Sequence, residues 1–385
     1  MPNQTNTSAK DIKVFFPNLD GLRFFCFLAV FFYHSFTTKF ESIYHHPLHI
    51  FVRRFLFANG NLGVNFFFVL SGFLITYLLI VEKTNYHTIN VGDFYIRRVL
   101  RIWPLFYACV IFGFFIFPFL KRFFGEIPVE AAHISYYLVF LNNFDFIKNV
   151  LPDASSLGVL WSVAIEEQFY LVWPLLLFLI PVKRLPLLFL SIILFSFLFR
   201  MLNASAPLLL KFHTFSCISD MTVGGMFAWI SCFSKAFMKK VKSQPKWVWV
   251  VLYSMVATIF LVSHSLFDHN IFLSAIYRLI VSLIFVMVIM EQNYASNSFY
   301  KMSDFRWVSK LGTYTYGLYC LHMIAILVVK QGLDKVGLNT KLWEVLGLEG
   351  LFSLAAAILI AMISYHLFEK KFLALKKKFT RIKSH

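Results

Sequence analysis

The sequence predicts an all-α polytopic membrane protein with about ten transmembrane helices and both termini in the cytoplasm. Three observations carry this. Of 385 residues, 59% are hydrophobic and only 14% are charged, where a soluble domain is nearer a quarter charged. The apolar residues come in runs long enough for ~20-residue spans, and the ~10-residue alternation of a membrane β-barrel is absent. The cations gather in short clusters between the runs, as the positive-inside rule requires.

The runs fall at roughly 20–40, 60–82, 99–120, 160–181, 185–202, 213–233, 247–267, 270–292, 311–331 and 345–368. Ten spans starting inside put Lys10 and Lys13, Arg97/Arg98/Arg101, Lys183/Arg184, the Lys235 to Lys246 cluster, Lys301/Arg306/Lys310 and the Lys376 to Lys383 tail on one side. One extra or missing span in the middle would split them. Segment 133–148, with His133, Asn142, Asn143 and Asp145, is therefore expected to be a non-spanning helix on the outer face. The polar N-terminus shows no cleavage site, so it is expected to be retained. The net charge of +17 is accounted for by topology and attraction to membrane lipid, which leaves no case for nucleic acid. Cys26, Cys109, Cys217, Cys232 and Cys320 are scattered through apolar runs and read as core residues, so neither a disulfide frame nor a metal site is expected.

The first run, Asp20 to His34, holds a cation and an imidazole eleven residues apart. At about 100° per residue those steps end within about 20° of whole turns, so Arg23 and His34 share a face roughly 16 Å apart. In a spanning helix His34 would lie near mid-depth, where an ionisable group marks a functional site by default; a polar contact between packed helices is the plainer reading. In the second run, Ser71-Gly72 lets either a neighbouring backbone or a ligand approach closely. The third opens with Arg97, Arg98 and Arg101. Arg98 and Arg101 sit at i,i+3, a fork suited to phosphates at a helix start, although a topology signal alone would use the same cations. The fourth carries Trp161-Ser162 and then Glu166-Glu167, adjacent carboxylates costing on the order of 2.5–3.5 kcal/mol each near a membrane centre. They point about 100° apart, so only one need face a cavity. Asp220, His322, Tyr365, His366 and Glu369 read singly as structural contacts. No HExxH, GxSxG or P-loop spacing occurs.

Six stretches in order resemble the membrane acyltransferase family 3. They are Leu19-Asp20-Gly21-Leu22-Arg23 with His34, Phe67 to Phe73 around Ser71-Gly72, and Arg97-Arg98-Val99-Leu100-Arg101-Ile102-Trp103-Pro104. The others are Leu160 to Pro174 around Glu166, Tyr316 to His322, and Ser364 to Lys370 around Glu369. The resemblance covers residues 17–372, leaving 1–16 as a cytoplasmic tail and 373–385 as a basic cytoplasmic tail. Lys371 stands where the family commonly has Pro, and the long extension of members with a fused SGNH-type domain is not expected here.

This resemblance implies an acyl-CoA donor, usually acetyl-CoA, reaching the site from the cytoplasm, no metal, and an acceptor hydroxyl on a cell-surface saccharide or lipid-linked acceptor. A bacterial inner membrane is the expected location. On that footing Arg97, Arg98 and Arg101, with Ser71, would bind the donor, with Arg23 holding it near the first helix. His34 would be the general base, with Glu166 beside it as a catalytic residue. Asp20, Asn65, Trp161, Ser162, Glu167, Tyr170 and His322 would face substrate. The expected order is the arginines at the cytoplasmic mouth, His34 in the middle and Glu166 nearer the outside. A proton-coupled transporter or flippase would use the same buried ionisable groups without a covalent step, but such folds often carry paired halves, and no internal symmetry is evident.

Overall fold

The computed structural model describes residues 14–149, 151–262 and 271–382. Lys10, Lys13, Lys383 and the end of the run at 247–267 lie outside them. No strand occurs among the described residues. Ten long helices carry the architecture: α1 (Asn18–His34), α2 (Leu62–Tyr86), α3 (Val91–Ile111), α4 (Trp161–Leu179), α5 (Leu185–Leu202), α6 (Thr214–Phe233), α7 (Lys246–Leu261), α8 (Ile271–Tyr294), α9 (Thr315–Lys335) and α10 (Gly350–Ser364).

Seven helices among the described residues are long and apolar enough to cross a membrane, and an eighth follows if Lys235–Ser243 and α7, bent by 92°, form one span. The expected runs at α1 and α6 are helical but do not reach that mark. The first helix has only 17 residues. The sixth has 20, but Ser216, Ser219, Asp220 and Thr222 are fully buried on it, because this helix packs in the interior and has little need of a lipid-facing surface. The other helices do show such a surface: Leu171, Leu187, Leu198, Leu351 and Leu359 are all exposed, as side chains bathed by lipid tails would be. The protein is an integral membrane protein. Segment 133–148 forms two short helices, Ile134–Leu138 and Asn142–Lys148, neither long enough to span.

Two features set the geometry of the interior. Helices α2 and α6 cross backbone to backbone: a Cβ on Gly72 would lie 1.9 Å from the Met221 carbonyl oxygen, and one on Gly224 would lie 2.0 Å from that of Val69. Helices α2 and α4 run parallel, tied by Ser71 to Glu166, Thr76 to Trp173, and Lys83 to the carbonyls of Leu177, Phe178 and Ile180. Lys83 thus caps the C-terminal end of α4 with a cation, where the helix dipole favours one.

The first helix departs from its expected length. The run was expected to span 20–40, but α1 ends at His34. Ser35 turns its hydroxyl and amide back to the Phe31 carbonyl, and Phe36 takes a positive φ of 62°. His34 therefore stands at the end of its helix.

Candidate active site

Helix geometry brings Arg23 (second turn of α1), Ser71 (mid α2), Arg98 and Arg101 (α3) and Glu166 and Tyr170 (α4) around one cavity of about 200 Å³. Val14, Phe15, Phe16, Asp20 and Lys376 line it toward the chain termini, and Val64, Phe67, Phe68, Ser162 and Tyr319 line its inner part. Charge is held in place by local contacts. Arg23 is ion-paired with Asp20, one turn away. The Arg98 guanidinium lies over the Phe94 and Tyr170 rings, 5.3 and 5.5 Å from their centroids. Ser71 donates to Glu166 Oε1 at 2.7 Å and accepts from the Tyr170 hydroxyl at 3.2 Å.

Of the adjacent carboxylates, Glu166 lines the cavity, while Glu167 turns away and accepts from the Trp103 indole at 2.8 Å. The roughly 100° between neighbours on a helix separates them. Ser71-Gly72 divides in the same way, with Ser71 on the cavity wall and Gly72 at the α2–α6 crossing.

Five other candidate residues lie off the cavity: Arg97, Asn65, Trp161, His322 and His34. Arg97 donates to the Phe379 carbonyl at 2.6 Å and stands 3.8 Å from Glu82, so it braces the wall. Asn65 donates to Asp220 at 2.9 Å, inside a buried cluster in which Asp220 also pairs with Arg278 at 2.8 Å and accepts from Ser282. Trp161 packs edge-on against Phe68 and Phe212. His322 is completely buried.

His34 is not among the residues lining the cavity. Tyr319, on the inner wall, has its hydroxyl 2.6 Å from Ser162 Oγ and donates to the Val159 carbonyl at 3.0 Å. Its ring centroid is 6.0 Å from that of His322, which is in turn 5.5 Å from that of His34. His322 Nδ1 sits 2.7 Å from the Tyr319 carbonyl oxygen. A carbonyl only accepts, so this bond puts the proton on Nδ1 and leaves Nε2 as a free lone pair. That Nε2 has no hydrogen-bond partner among the described residues. The expected order is therefore corrected: Glu166 shares the cavity with the arginines, and His34 lies beyond it, at the far end of α1.

Cavity residues given no role from the sequence include Thr313, Thr315, Tyr316, Tyr319 and Lys376. Tyr319 stands three residues before His322 and so on the same helical face, a signal that was available. Lys376 was hidden in a cluster read as topology.

A family model described as an acyltransferase domain, Acyl_transf_3, matches residues 16–366. The chain belongs to this acyltransferase family. Among similar proteins, the peptidoglycan O-acetyltransferase OatA of Listeria monocytogenes is 28% identical over 93% of this chain and 56% of its own length. The putative peptidoglycan O-acetyltransferase YrhL of Bacillus subtilis is 34% identical over 42% of this chain and 24% of its own. For the O-acetyltransferase OatA of Staphylococcus aureus the figures are 32%, 42% and 25%. This acyltransferase-family chain thus spans 56% of the Listeria relative, and its matches to the other two cover about a quarter of their lengths. No solved structure matches it.

Proposed function

We propose that this chain is a membrane O-acyltransferase that moves an acetyl group from cytoplasmic acetyl-CoA to a hydroxyl of a cell-wall saccharide or its lipid-linked precursor. The observation that carries the reading is the cavity in which Arg23, Arg98 and Arg101 converge beside Glu166, in a chain of the acyltransferase family. Relatives named for peptidoglycan O-acetylation support the acceptor class. We further propose ten membrane crossings with both termini cytoplasmic, in the bacterial inner membrane, with residues 17–372 as the catalytic domain between tails at 1–16 and 373–385.

In this reading Arg98 and Arg101 hold the donor's phosphates, with Arg23 beside them. The slim pantetheine arm runs inward along Ser71, Phe67 and Phe68 toward Ser162 and Tyr319. Tyr319 and His322 stand on the way to His34, so the Tyr319 ring has to move aside when the arm enters. His34 takes the acceptor's hydroxyl proton as that oxygen attacks the thioester carbonyl carbon. The C–S bond then breaks, and the leaving sulfur recovers the proton from the imidazolium, giving ester and free thiol. Glu166 offsets the arginine charge and fixes Ser71.

The test is transfer from radiolabelled acetyl-CoA to a saccharide acceptor by purified protein. Wild type transfers label, and His34→Ala, folded and inserted, does not. Transfer retained in His34→Ala would remove the base from the scheme, and a wild type that neither transfers nor hydrolyses the acetyl group would favour a transporter.

A further inference from the structure

The helix after α10, Lys370–Lys376, and the short turn Lys377–Phe379 do not trail away from the molecule. They are fastened on both sides of Lys376. Before it, buried Glu369 packs against α9, where a Cβ on Gly317 would lie 3.0 Å from its Oε1. After it, the Phe379 carbonyl accepts from Arg97 at 2.6 Å, and Arg381 stands 3.9 Å from Asp93, with its guanidinium over the Tyr86 ring. The segment is a strap laid across the start of α3, and it presents Lys376 to the cavity lined by Arg23, Arg98 and Arg101.

The cavity lining holds those four cations and two carboxylates, Asp20 and Glu166. Asp20 is ion-paired with Arg23, and Glu166 accepts from Ser71. No ion pair among the described residues joins Arg98, Arg101 or Lys376 to a carboxylate. Like charges gathered in a partly dry space repel one another, and an arrangement of this kind is stable when a multiply charged anion completes it. The lining thus carries a net excess of two positive charges; a single monoanionic group would leave half of it unmatched, whereas a diphosphate diester, with two negative charges, matches it.

We infer that the C-terminal strap is part of the binding site, and that Lys376 completes, with Arg98 and Arg101, a receptor for a ligand carrying a diphosphate. The inference rests on the donor reading for the identity of the physiological ligand, but not for the existence of the site. It turns residues 373–382 from a passive tail into a structural arm of the cavity. It also gives Arg97 and Asp93 a positioning role, since they hold the strap without touching the ligand.

The experiment is equilibrium binding of inorganic pyrophosphate and of coenzyme A to the full chain in neutral-lipid nanodiscs, for wild type, Lys376→Gln, Lys376→Arg and Arg381→Gln. Loss of one charge-assisted contact is expected to weaken both probes on the order of tenfold in Lys376→Gln. Lys376→Arg keeps the charge and is expected to stay within about threefold of wild type. Arg381→Gln, which loosens only the strap, is expected to fall between the two. Equal binding of both probes by wild type and Lys376→Gln overturns the inference while leaving the donor reading intact. Wild type that binds pyrophosphate in a Lys376-dependent way but not coenzyme A supports the strap site and sinks the donor reading. Binding of neither probe by wild type overturns the site itself. Repeating the titration with anionic lipid separates the sources of phosphate: unchanged affinities assign the site to a soluble ligand, and displacement of both probes by headgroups overturns that assignment.

Discussion

Gly72→Ala is the substitution whose outcome follows most directly from the geometry. The added Cβ would sit 1.9 Å from the Met221 carbonyl oxygen, 2.5 Å from its carbon and 2.6 Å from its Cα. A tolerated carbon–oxygen contact is roughly 3.3 Å or more, so α2 and α6 would have to separate by about 1.4 Å at their crossing. The obstructing atoms are backbone, which cannot swing away, and Gly224 makes the reciprocal contact with Val69. Overpacking of this kind costs roughly 1–3 kcal/mol or more. Helix propensity alone acts the other way, because alanine is favoured over glycine by about 1 kcal/mol in a helix interior. The sign of the change therefore separates the two accounts. Thermal unfolding of purified protein in detergent is the assay, with Gly332→Ala as the control, since nothing lies within 4 Å of a Cβ there. The expected result is a clear fall in Tm for Gly72→Ala and an unchanged or slightly raised Tm for Gly332→Ala. A Gly72→Ala protein as stable as the control would refute the close-crossing argument.

Three further outcomes are expected. Lys83→Met removes three charge-assisted hydrogen bonds to the α4 carbonyls and should lower stability by about 1.5–3 kcal/mol, seen as a lower Tm; no change would mean water replaces the cap. Asp220→Asn weakens the ion pair between fully buried Asp220 and largely buried Arg278 and should cost about 3–5 kcal/mol, enough to lower the yield of folded protein in a fluorescence size-exclusion assay. Tyr319→Phe removes the hydroxyl bonded to Ser162 and Val159, at about 1 kcal/mol of stability. Because the ring stands beyond the end of the cavity proposed to bind phosphate, it should alter kcat for the proposed acetyl transfer while leaving the donor KM within about twofold; a donor KM that rises with kcat unchanged would place Tyr319 at the donor's head.

Some of this arrangement was legible in the residues. Arg98 and Arg101 at i,i+3 share a face whatever the tertiary fold, and the 100° between Glu166 and Glu167 meant that one carboxylate would turn from the cavity. Depth was harder to read. The expected run continues to residue 40, but Ser35 caps the helix at Phe31 and Phe36 takes a left-handed backbone, so α1 stops at His34 for a reason hydropathy does not record. Helix α6 was found by its run, but its buried Asp220 is satisfied by Arg278, 58 residues away, a pairing no local pattern displays. Lys376 shows the limit most clearly. A cluster that obeys the positive-inside rule also lends one member to a cavity, and only the strap's contacts with Arg97 and Asp93 reveal which.

The most direct measurement is a structure of the full chain with coenzyme A bound. The account places the ligand's phosphates among Arg98, Arg101 and Lys376, with the thiol pointing inward toward Tyr319. Phosphates seated anywhere else, or a thiol directed away from Tyr319 and His34, would contradict it.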